Sequence, residues 1–186
     1  TFEAGEILQQ PTILIAGKAT SEVVGVTAAS WTGTLRMLES DSEGIISISV
    51  AFMDYAGNPG VTQVAKLSGD NVTFDQTAPT LSAVTISSNN TYNSDRATTA
   101  DVITLEIGGA EYIQVPTVTI MGNARTFAAG TLTPNVAATS FTAVYTMQDD
   151  DDEDVVAFSI VFEDLAGNSG ATAQATLDET SVTFDK

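Results

Sequence analysis

One cassette of residues occurs twice in this chain and limits what the chain can fold into. It runs from Phe52 to Asp75 and again from Phe162 to Asp185, and we call the constant shift between the two copies the cassette offset. Each copy passes from an apolar residue into Asp-x-Ala-Gly-Asn-x-Gly and ends on Val-Thr-Phe-Asp. Self-similarity at a fixed period indicates repeated structural units. We therefore predict two modules of one type, spanning residues 1–75 and 76–186.

The two predicted modules are not equally complete. The cassette offset applies from Ser30 onward, and upstream of Ser30 a slightly smaller shift applies, the upstream offset, which carries Pro11-Thr12 onto Pro116-Thr117. It carries Thr1 onto Glu106, so the first module lacks counterparts of Thr77 through Leu105. That segment is predicted to hold two strands. We expect either that the sequence is cropped from a longer one or that a neighbouring chain supplies these strands.

Apolar and polar residues alternate along most of the chain, which is typical of half-buried β-strands. The expected inward-facing residues of the second module are Val84 and Ile86 on strand A, Ile103, Leu105 and Ile107 on B, Val118 and Ile120 on C, Phe141, Ala143, Tyr145 and Met147 on E, and Val156, Phe158, Ile160 and Phe162 on F. Those of the first module are Ile13 and Ile15 on C, Trp31, Leu35 and Met37 on E, and Ile46, Ile48, Val50 and Phe52 on F.

Two further strands complete the predicted module. A short strand D is expected at Thr126 to Ala128, and strand G from Ala171 to Phe184 with a break near Asp178 to Thr180. About seven short strands punctuated by Gly, Pro and Asn describe an immunoglobulin-like sandwich. The predicted fold is thus all-β: tandem immunoglobulin-like β-sandwiches, of which the N-terminal one lacks its first strands.

The cassette also carries a family resemblance. Asp-x-Ala-Gly-Asn-x-Gly followed by Val-Thr-Phe-Asp-x-Thr-Ala-Pro-Thr, which ends at Thr80, resembles the bacterial-type immunoglobulin-like (cadherin-like) repeats of large extracellular adhesins and surface proteins. The resemblance implies an extracellular location, at the cell surface or secreted. Modules of this kind serve as spacers, adhesive tips and filament or lattice subunits, so the resemblance alone does not choose among these functions.

Composition excludes several classes of function. With 24 acidic and 6 basic residues the net charge is −18, and such a surface repels nucleic acid and anionic lipid. No apolar run is long enough for membrane insertion. The chain contains neither cysteine nor histidine, so thiol chemistry and histidine-based catalysis are absent, and we expect no enzyme activity. Cations are the natural partners of this surface.

The acidic residues near the predicted junction suggest a calcium site. Asp54 to Asn58 and Asp164 to Asn168 predict tight turns between strands F and G, and Asp and Gly suit such turns without any ligand. In a sandwich the F–G turn lies at the end where the chain enters. Calcium takes six to eight oxygen ligands, many of them carboxylates. The predicted junction ligands are Asp75, Asp164, Glu39, Asp41 and Glu43.

A second, weaker calcium site is predicted where the chain leaves the second module. The acidic run Asp149 to Asp154 lies in its E–F loop, and the candidate ligands are Asp149, Asp151 and Asp185. The run does not have the alternating ligands and central Gly of an EF-hand. A solvated acidic loop remains the alternative, and so does a halophilic surface whose acidity serves solvation.

Two short patterns and one tryptophan add further hypotheses. Asn89-Asn90-Thr91 and Asn71-Val72-Thr73 fit the N-glycosylation acceptor pattern, and Asn89 is the better candidate because it lies in a polar loop. Trp31 could stack on a sugar, but it corresponds to Phe141 in the second module and is interpreted as a core residue.

The sequence therefore predicts an extracellular structural or adhesive protein in which sandwich modules are rigid spacers with calcium-stiffened junctions. Its expected partners are neighbouring modules of the same or an adjacent chain, and a cell-surface or glycan ligand. Two alternatives stay open. One is a self-assembling subunit of a filament, sheath or S-layer that is completed by β-strand exchange. The other is a glycan-binding adhesin tip.

Overall fold

The computed structural model describes residues 1–27, 29–66, 69–121, 132–133 and 136–186. This part of the chain is all-β and contains no helix, hence none that is long and apolar enough to cross a membrane. The chain forms two compact units, Thr1–Gln76 and Thr77–Lys186. The division falls one residue after the boundary predicted from the repeat.

The second unit contains nine short strands among its described residues. They are β9 (Leu81–Ser88), β10 (Arg96–Ala97), β11 (Val102–Ile113), β12 (Thr117–Ile120), β13 (Leu132–Thr133), β14 (Ala138–Thr146), β15 (Asp154–Val155), β16 (Phe158–Val161) and β17 (Thr183–Phe184). One sheet has the order β13-β14-β11-β9 and another pairs β12 with β16. A third small sheet has the order β10-β17-β15, in which β10 runs parallel to β17.

Alternating side chains of these sheets enclose one hydrophobic core. Every inward-facing residue predicted for strands A, B, C and F of the second unit is less than one-tenth exposed, and so are Phe141, Ala143 and Met147 of strand E. Tyr145 is half-buried at the edge of the cluster. Because successive side chains of a strand point to opposite faces, a correct alternation pattern identifies the buried face.

The described part of the first unit contains eight short strands. They are β1 (Phe2–Glu3), β2 (Thr12–Ile15), β3 (Lys18–Ala19), β4 (Glu22–Thr27), β5 (Ser30–Thr34), β6 (Gly44–Ile45), β7 (Ile48–Ala51) and β8 (Thr73–Phe74). The sheet orders are β1-β5-β4, β3-β2-β7 and β6-β8. The β2–β7 pair repeats β12–β16, since Ile13 faces Val50 as Val118 faces Ile160.

The core of the first unit is much smaller than that of the second. Among the described residues of the first unit, only Leu8, Ile13 and Val50 are buried hydrophobic residues, whereas the described part of the second unit has eighteen. No described strand of the first unit corresponds to β9 or to the first half of β11. The described part of the first unit therefore has a less complete core than the described part of the second.

Several predicted strands differ in extent from the observed ones. Strand G is regular only at β17 and touches strand F earlier through a single bridge, Ala173 to Ile160. The predicted break is present, because Glu179 has a φ of 63° in the left-handed region that disrupts a strand. In the first unit, strand E ends at Thr34, before Leu35 and Met37. The predicted strand D at Thr126 to Ala128 lies outside the described residues.

Candidate functional site

The turn that begins at Asp164 is built around a buried carboxylate. Asp164 is 1% exposed. Its Oδ1 accepts hydrogen bonds from the backbone N–H groups of Ala166 and Asn168, both at 2.8 Å. Its Oδ2 accepts one from the Asn168 side-chain amide at 2.7 Å. Gly167, with a φ of 93°, takes the left-handed conformation that this turn requires.

The same turn recurs in the first unit with a more exposed carboxylate. Asp54 Oδ1 accepts from the Asn58 backbone N–H at 2.8 Å, and its Oδ2 accepts from the Asn58 side-chain amide at 2.7 Å. Gly57 has a φ of 90°, close to that of Gly167. The structural role of this motif, as a closed hairpin turn, is thus the same in both copies.

These hydrogen bonds favour the ionised form of both carboxyls. Burial opposes ionisation of Asp164, yet the bonds from the Asn168 side chain and from backbone N–H groups outweigh it and hold the pKa of Asp164 below its usual range. The side-chain and backbone bonds from Asn58 likewise lower the pKa of Asp54. A carboxylate that accepts several N–H bonds is stabilised as the anion.

The last glycine of the motif has a packing role that the sequence interpretation missed. Gly170 lies against the ring of Phe162, so closely that a Cβ would collide with it, and Gly60 lies in the same way against Phe52. Each glycine also donates its backbone N–H to the carbonyl of that phenylalanine, at 3.0 Å for Gly170 and 2.9 Å for Gly60. The absence of a side chain is therefore required for contact with the aromatic ring.

A second pair of aspartates closes the loops between strands E and F. Asp41 accepts from the Leu38 backbone N–H at 2.9 Å and forms an ion pair with Lys18. The hydrogen bond from Lys18 is the main cause that lowers the pKa of Asp41. Asp151 accepts from the Gln148 backbone N–H at 2.7 Å and replaces the lysine by the Tyr145 hydroxyl, which lies 2.8 and 2.9 Å from its two oxygens.

The same loops hold the second residue after the last strand of each unit, which is Gln76 in the first unit and Lys186 in the second. Glu43 accepts from the Gln76 backbone N–H at 2.7 Å. The Gln76 side-chain amide lies 3.3 Å from the Glu39 carbonyl and 3.4 Å from that of Asp41. Together these bonds tie the final residue of the first unit to its own acidic loop.

The second unit repeats this anchor with a charged residue. Glu153 accepts from the Lys186 backbone N–H at 3.0 Å, and the Lys186 ammonium donates to the Asp149 carbonyl at 2.8 Å. We call the two arrangements the exit anchors, formed by Glu43 with Gln76 and by Glu153 with Lys186. The cassette offset carries both residues of the first anchor onto those of the second.

The carboxylates predicted as calcium ligands are thus placed as follows. Glu39, Asp41 and Glu43 share the loop of the first exit anchor, and Asp75 follows β8 with a half-buried side chain. Asp149 and Asp151 share the loop of the second anchor, and the exposed Asp185 donates its backbone N–H to the Ala97 carbonyl at 2.9 Å. Glu43, Asp41 and Asp151 have protein donors with which a cation would compete.

Glu111 is a candidate metal ligand that the sequence interpretation missed. It lies near the end of β11, and one of its carboxylate oxygens is within 4.8 Å of an oxygen of Asp164. The Asp164 carboxylate accepts at least three hydrogen bonds, from Ala166 and Asn168, of the roughly four that a carboxylate can accept. Glu111 could have been found from the repeat, because the upstream offset carries Glu6 onto it.

The glycosylation candidates and Trp31 lie in different environments. Asn89 is exposed, and its side-chain oxygen accepts from the Val102 backbone N–H at 2.6 Å. Asn71 is exposed just before β8. Trp31 is half-buried opposite Phe2, and its indole N–H is shielded from solvent without an acceptor among the described residues.

Comparison with known proteins gives no relative to compare with these features. No protein-family model matches the chain, and neither the curated proteins nor the solved structures contain a significant match.

Proposed function

We propose that this chain is part of an extracellular structural or adhesive protein in which immunoglobulin-like modules act as rigid spacers. The repeated exit anchor is the observation that carries the proposal. A module that fixes the chain two residues after its last strand limits the angles at which the next module can follow.

The strand order of the second unit supports the immunoglobulin-like interpretation. In a constant-type sandwich one sheet has the order A-B-E-D and the other contains C, F and G. The sheet β9-β11-β14-β13 corresponds to the first order, and β12 with β16 to strands C and F. The bridge from Ala173 to Ile160 agrees with a strand G that begins beside F.

The sequence after the first exit anchor also favours a stiff connection. Only Thr77 and Ala78 separate Gln76 from Pro79. Proline fixes its own φ and restricts the residue before it to extended conformations. Thr80 is tied into the second unit, because its carbonyl accepts from the Ala110 backbone N–H at 2.9 Å. A linker this short with a proline limits hinge motion.

The width of an inter-unit distance distribution tests this proposal. The chain has no cysteine, so one cysteine can be introduced on each unit at the exposed positions Val61 and Tyr92, which are 80% and 96% exposed. With spin labels at both cysteines, pulsed electron paramagnetic resonance should give one narrow distribution of the distance between the labels. The substitution Glu43→Ala removes the acceptor of the Gln76 N–H and should broaden it.

The matched control is Glu39→Ala. It removes the same charge from the same loop, while the Glu39 group that contacts Gln76 is a backbone carbonyl, which alanine retains. A distribution that is already broad in the unaltered chain, or that responds equally to both substitutions, would refute the spacer function. Labelling of intact source cells with an antibody tests the extracellular location.

Calcium binding belongs to the proposal as a stiffening factor, and the pair Glu111 and Asp164 of the second unit supports it. Two carboxylate oxygens within 4.8 Å of each other can share one hard cation. Calorimetry should detect calcium binding at or below millimolar concentration, and Glu111→Gln should weaken it without disturbing the turn at Asp164. Absence of any heat of binding at millimolar calcium would remove calcium from the proposal.

A further inference from the structure

The strand β4 leaves one edge of its sheet without a partner. In the sheet β1-β5-β4 it pairs with β5 on one side, and no described strand pairs with its other side, which we call the β4 edge. The strand contains no proline, and its only charged residue is Glu22. An open edge of this kind is available to another strand, and proteins commonly protect such edges with charges, prolines or very short strands.

The pairing on the far side of β5 shows how the backbone groups of β5 are directed. Ala4 donates its N–H to the Ala29 carbonyl at 2.8 Å, and this pair is in register with the pair of Phe2 and Trp31. Backbone groups along a strand point alternately to its two sides. Those of Trp31 therefore point to β1, and those of the next residue, Thr32, point to β4.

Val23 and Gly25 consequently present their backbone groups at the β4 edge. Val24 pairs with Thr32, so its own N–H and C=O point into the sheet and those of its two neighbours point outward. The Gln10 side-chain amide approaches the Val23 carbonyl at 3.5 Å, which is too long for a strong hydrogen bond. Val23 and Gly25 thus each offer a donor and an acceptor to a further strand.

The corresponding strand of the second unit is followed by a proline. Leu132 pairs with the residue onto which the cassette offset carries Gly33, and Gly33 is the partner of Val23. Two residues after Leu132 the sequence has Pro134. Two residues after Val23 it has Gly25 instead. Proline has no N–H to donate, so the second copy of the repeat lacks the donor that Gly25 provides.

The side chains beside the β4 edge are apolar and open to solvent. Val24 and Val26 are 45% and 63% exposed. Valine favours strands that pack against a neighbour on a pleated surface. An exposed strand edge that carries apolar side chains is a site where chains associate.

We propose that two copies of this chain associate through their β4 edges, in antiparallel orientation about a two-fold axis. In the centred register Val23 of each copy exchanges hydrogen bonds with Gly25 of the other, and the two Val24 residues face each other across the axis. All the outward donors and acceptors of both strands are then paired. This register uses the regular part of β4, before the irregularity between Gly25 and Thr27. A contact of this kind closes at the dimer, because it uses the same edge of both chains.

Charge favours a second copy over a basic partner. A basic partner would be recognised through carboxylates, but β4 has only Glu22, at its first residue. The chain as a whole carries a charge of −18, so two copies repel each other wherever their acidic residues meet. The segment from Val23 to Thr27 is uncharged and avoids this repulsion. In the centred register Glu22 faces position 26 of the second copy, so the two glutamates do not oppose each other.

The substitution Val24→Cys tests the register directly. The chain has no cysteine of its own. In the centred register the two new thiols belong to a directly opposed pair without hydrogen bonds, whose Cα atoms lie about 4.5 Å apart, within the range of a disulfide. In oxidised glutathione Val24→Cys should form a linked dimer at least roughly tenfold faster than Val26→Cys. The control site is the more exposed one but faces Glu22, so equal rates would refute the proposal.

Sedimentation velocity over a range of chain concentrations tests association without a crosslink. We expect a reversible equilibrium between monomer and dimer that strengthens as salt screens the acidic surfaces. Gly25→Pro removes the outward N–H and should weaken dimerisation at least roughly tenfold. Gly25→Ala keeps that N–H and adds the same Cβ, 3.2 Å from the Trp31 ring, so it controls for disturbed packing and should still dimerise. Equal effects of the two substitutions would overturn the proposal.

Opposite charges at position 24 give a test that does not depend on the backbone. Val24→Lys and Val24→Glu should each be monomeric, because like charges then face each other across the axis. A mixture of the two variants should dimerise, because the charges are then opposite. A mixture that stays monomeric, or an unaltered chain that is monomeric up to millimolar concentration, would refute association through the β4 edge.

Discussion

The carboxylate of Asp164 is expected to stabilise the second unit chiefly by closing its turn. The substitution Asp164→Asn keeps the shape of the side chain and one acceptor oxygen. It places an amide N–H group where Oδ2 accepts from the Asn168 amide at 2.7 Å, so two donors face each other. A hydrogen bond to a charged group contributes about 1.5–3 kcal/mol. Since Asp164 is 1% exposed, water cannot replace that bond, and we expect a loss of about 2 kcal/mol.

Thermal and urea unfolding of the second unit, followed by far-ultraviolet circular dichroism, measure this loss. For a unit of this size 1 kcal/mol corresponds to roughly 4 °C, so the midpoint should fall by roughly 8 °C. The same substitution at Asp54 should have a smaller effect on the first unit, because that carboxylate is more exposed to water. Each unfolding curve is recorded in EGTA, so that calcium does not contribute.

The double variant that combines Asp164→Asn with Asn168→Asp is the matched control. It restores a donor and an acceptor between the two side chains, although the charge now lies at position 168. The double variant should therefore recover part of the lost stability. An unchanged midpoint for Asp164→Asn in EGTA, combined with lost calcium binding, would show that Asp164 acts as a metal ligand and not as the closure of the turn.

Three other groups of contacts predict measurable effects on stability. Gly170→Ala should destabilise the second unit by about 1–3 kcal/mol, since its Cβ collides with the buried Phe162 ring. Gly60→Ala should cost less because the Phe52 ring is only half-buried and can move, and equal losses on unfolding would contradict this reasoning. Tyr145→Phe should lower the free energy of unfolding by about 1–2 kcal/mol, because it removes the hydroxyl that donates to the Asp151 carboxylate. The control Tyr112→Phe, at a 60% exposed site, should unfold like the unaltered chain. The pKa values of four carboxyls are lowered in the folded chain, namely those of Asp41, Asp54, Asp164 and Asp178. The stability that these groups contribute is therefore present above about pH 4 and is lost as the pH falls through their folded-state pKa values. The free energy of unfolding should be level from pH 7 to roughly pH 5 and fall toward pH 2, and the fall should be less steep in Asp164→Asn.

Strand positions could be predicted from the sequence wherever burial follows the strict two-residue period. Ile103, Leu105 and Ile107 alternate with exposed or half-buried residues, and all three are at most 1% exposed. The period fails in strand G, where Glu179 with its left-handed backbone interrupts the pleat. A pattern of apolar residues does not show which of them lie in regular strands, because the irregular segment also contains a fully buried side chain, that of Val182.

The contacts of the acidic loops could not be predicted from composition. An acidic run indicates a solvated loop or a cation site, but the hydrogen bond from Gln76 to Glu43 depends on the position of a backbone N–H group from a distant part of the chain. The repeat contained a usable signal, since the cassette offset carries Glu43 onto another glutamate, Glu153. The sequence interpretation treated Glu43 as a calcium ligand and Glu153 as one member of an acidic run, without comparing the two.

The two copies differ in a way that separates these roles. Core positions vary in size between the copies, as Trp31 does from Phe141 and Ile48 from Phe158. Cores accept such exchanges when the total volume is kept, because apolar contact is not directional. Among the residues that make directional contacts, the cassette offset finds the same residue type again for Asp41, Glu43, Asp54, Asn58 and Gly60, although the donor Gln76 is replaced by Lys186.

The acids that do not recur have a different role from those that do. Ser40 and Ser42 correspond to Asp150 and Asp152, so the second loop gains a carboxylate at each of these positions. Such additions raise net charge and solubility. Cation ligands should therefore be sought among carboxylates that occur in both copies of the repeat but accept no hydrogen bond that closes a loop. Glu111, which corresponds to Glu6, meets this condition, whereas Glu43 and Asp41 do not. The substitution Glu111→Gln therefore separates calcium binding from folding more cleanly than any substitution in the acidic loops.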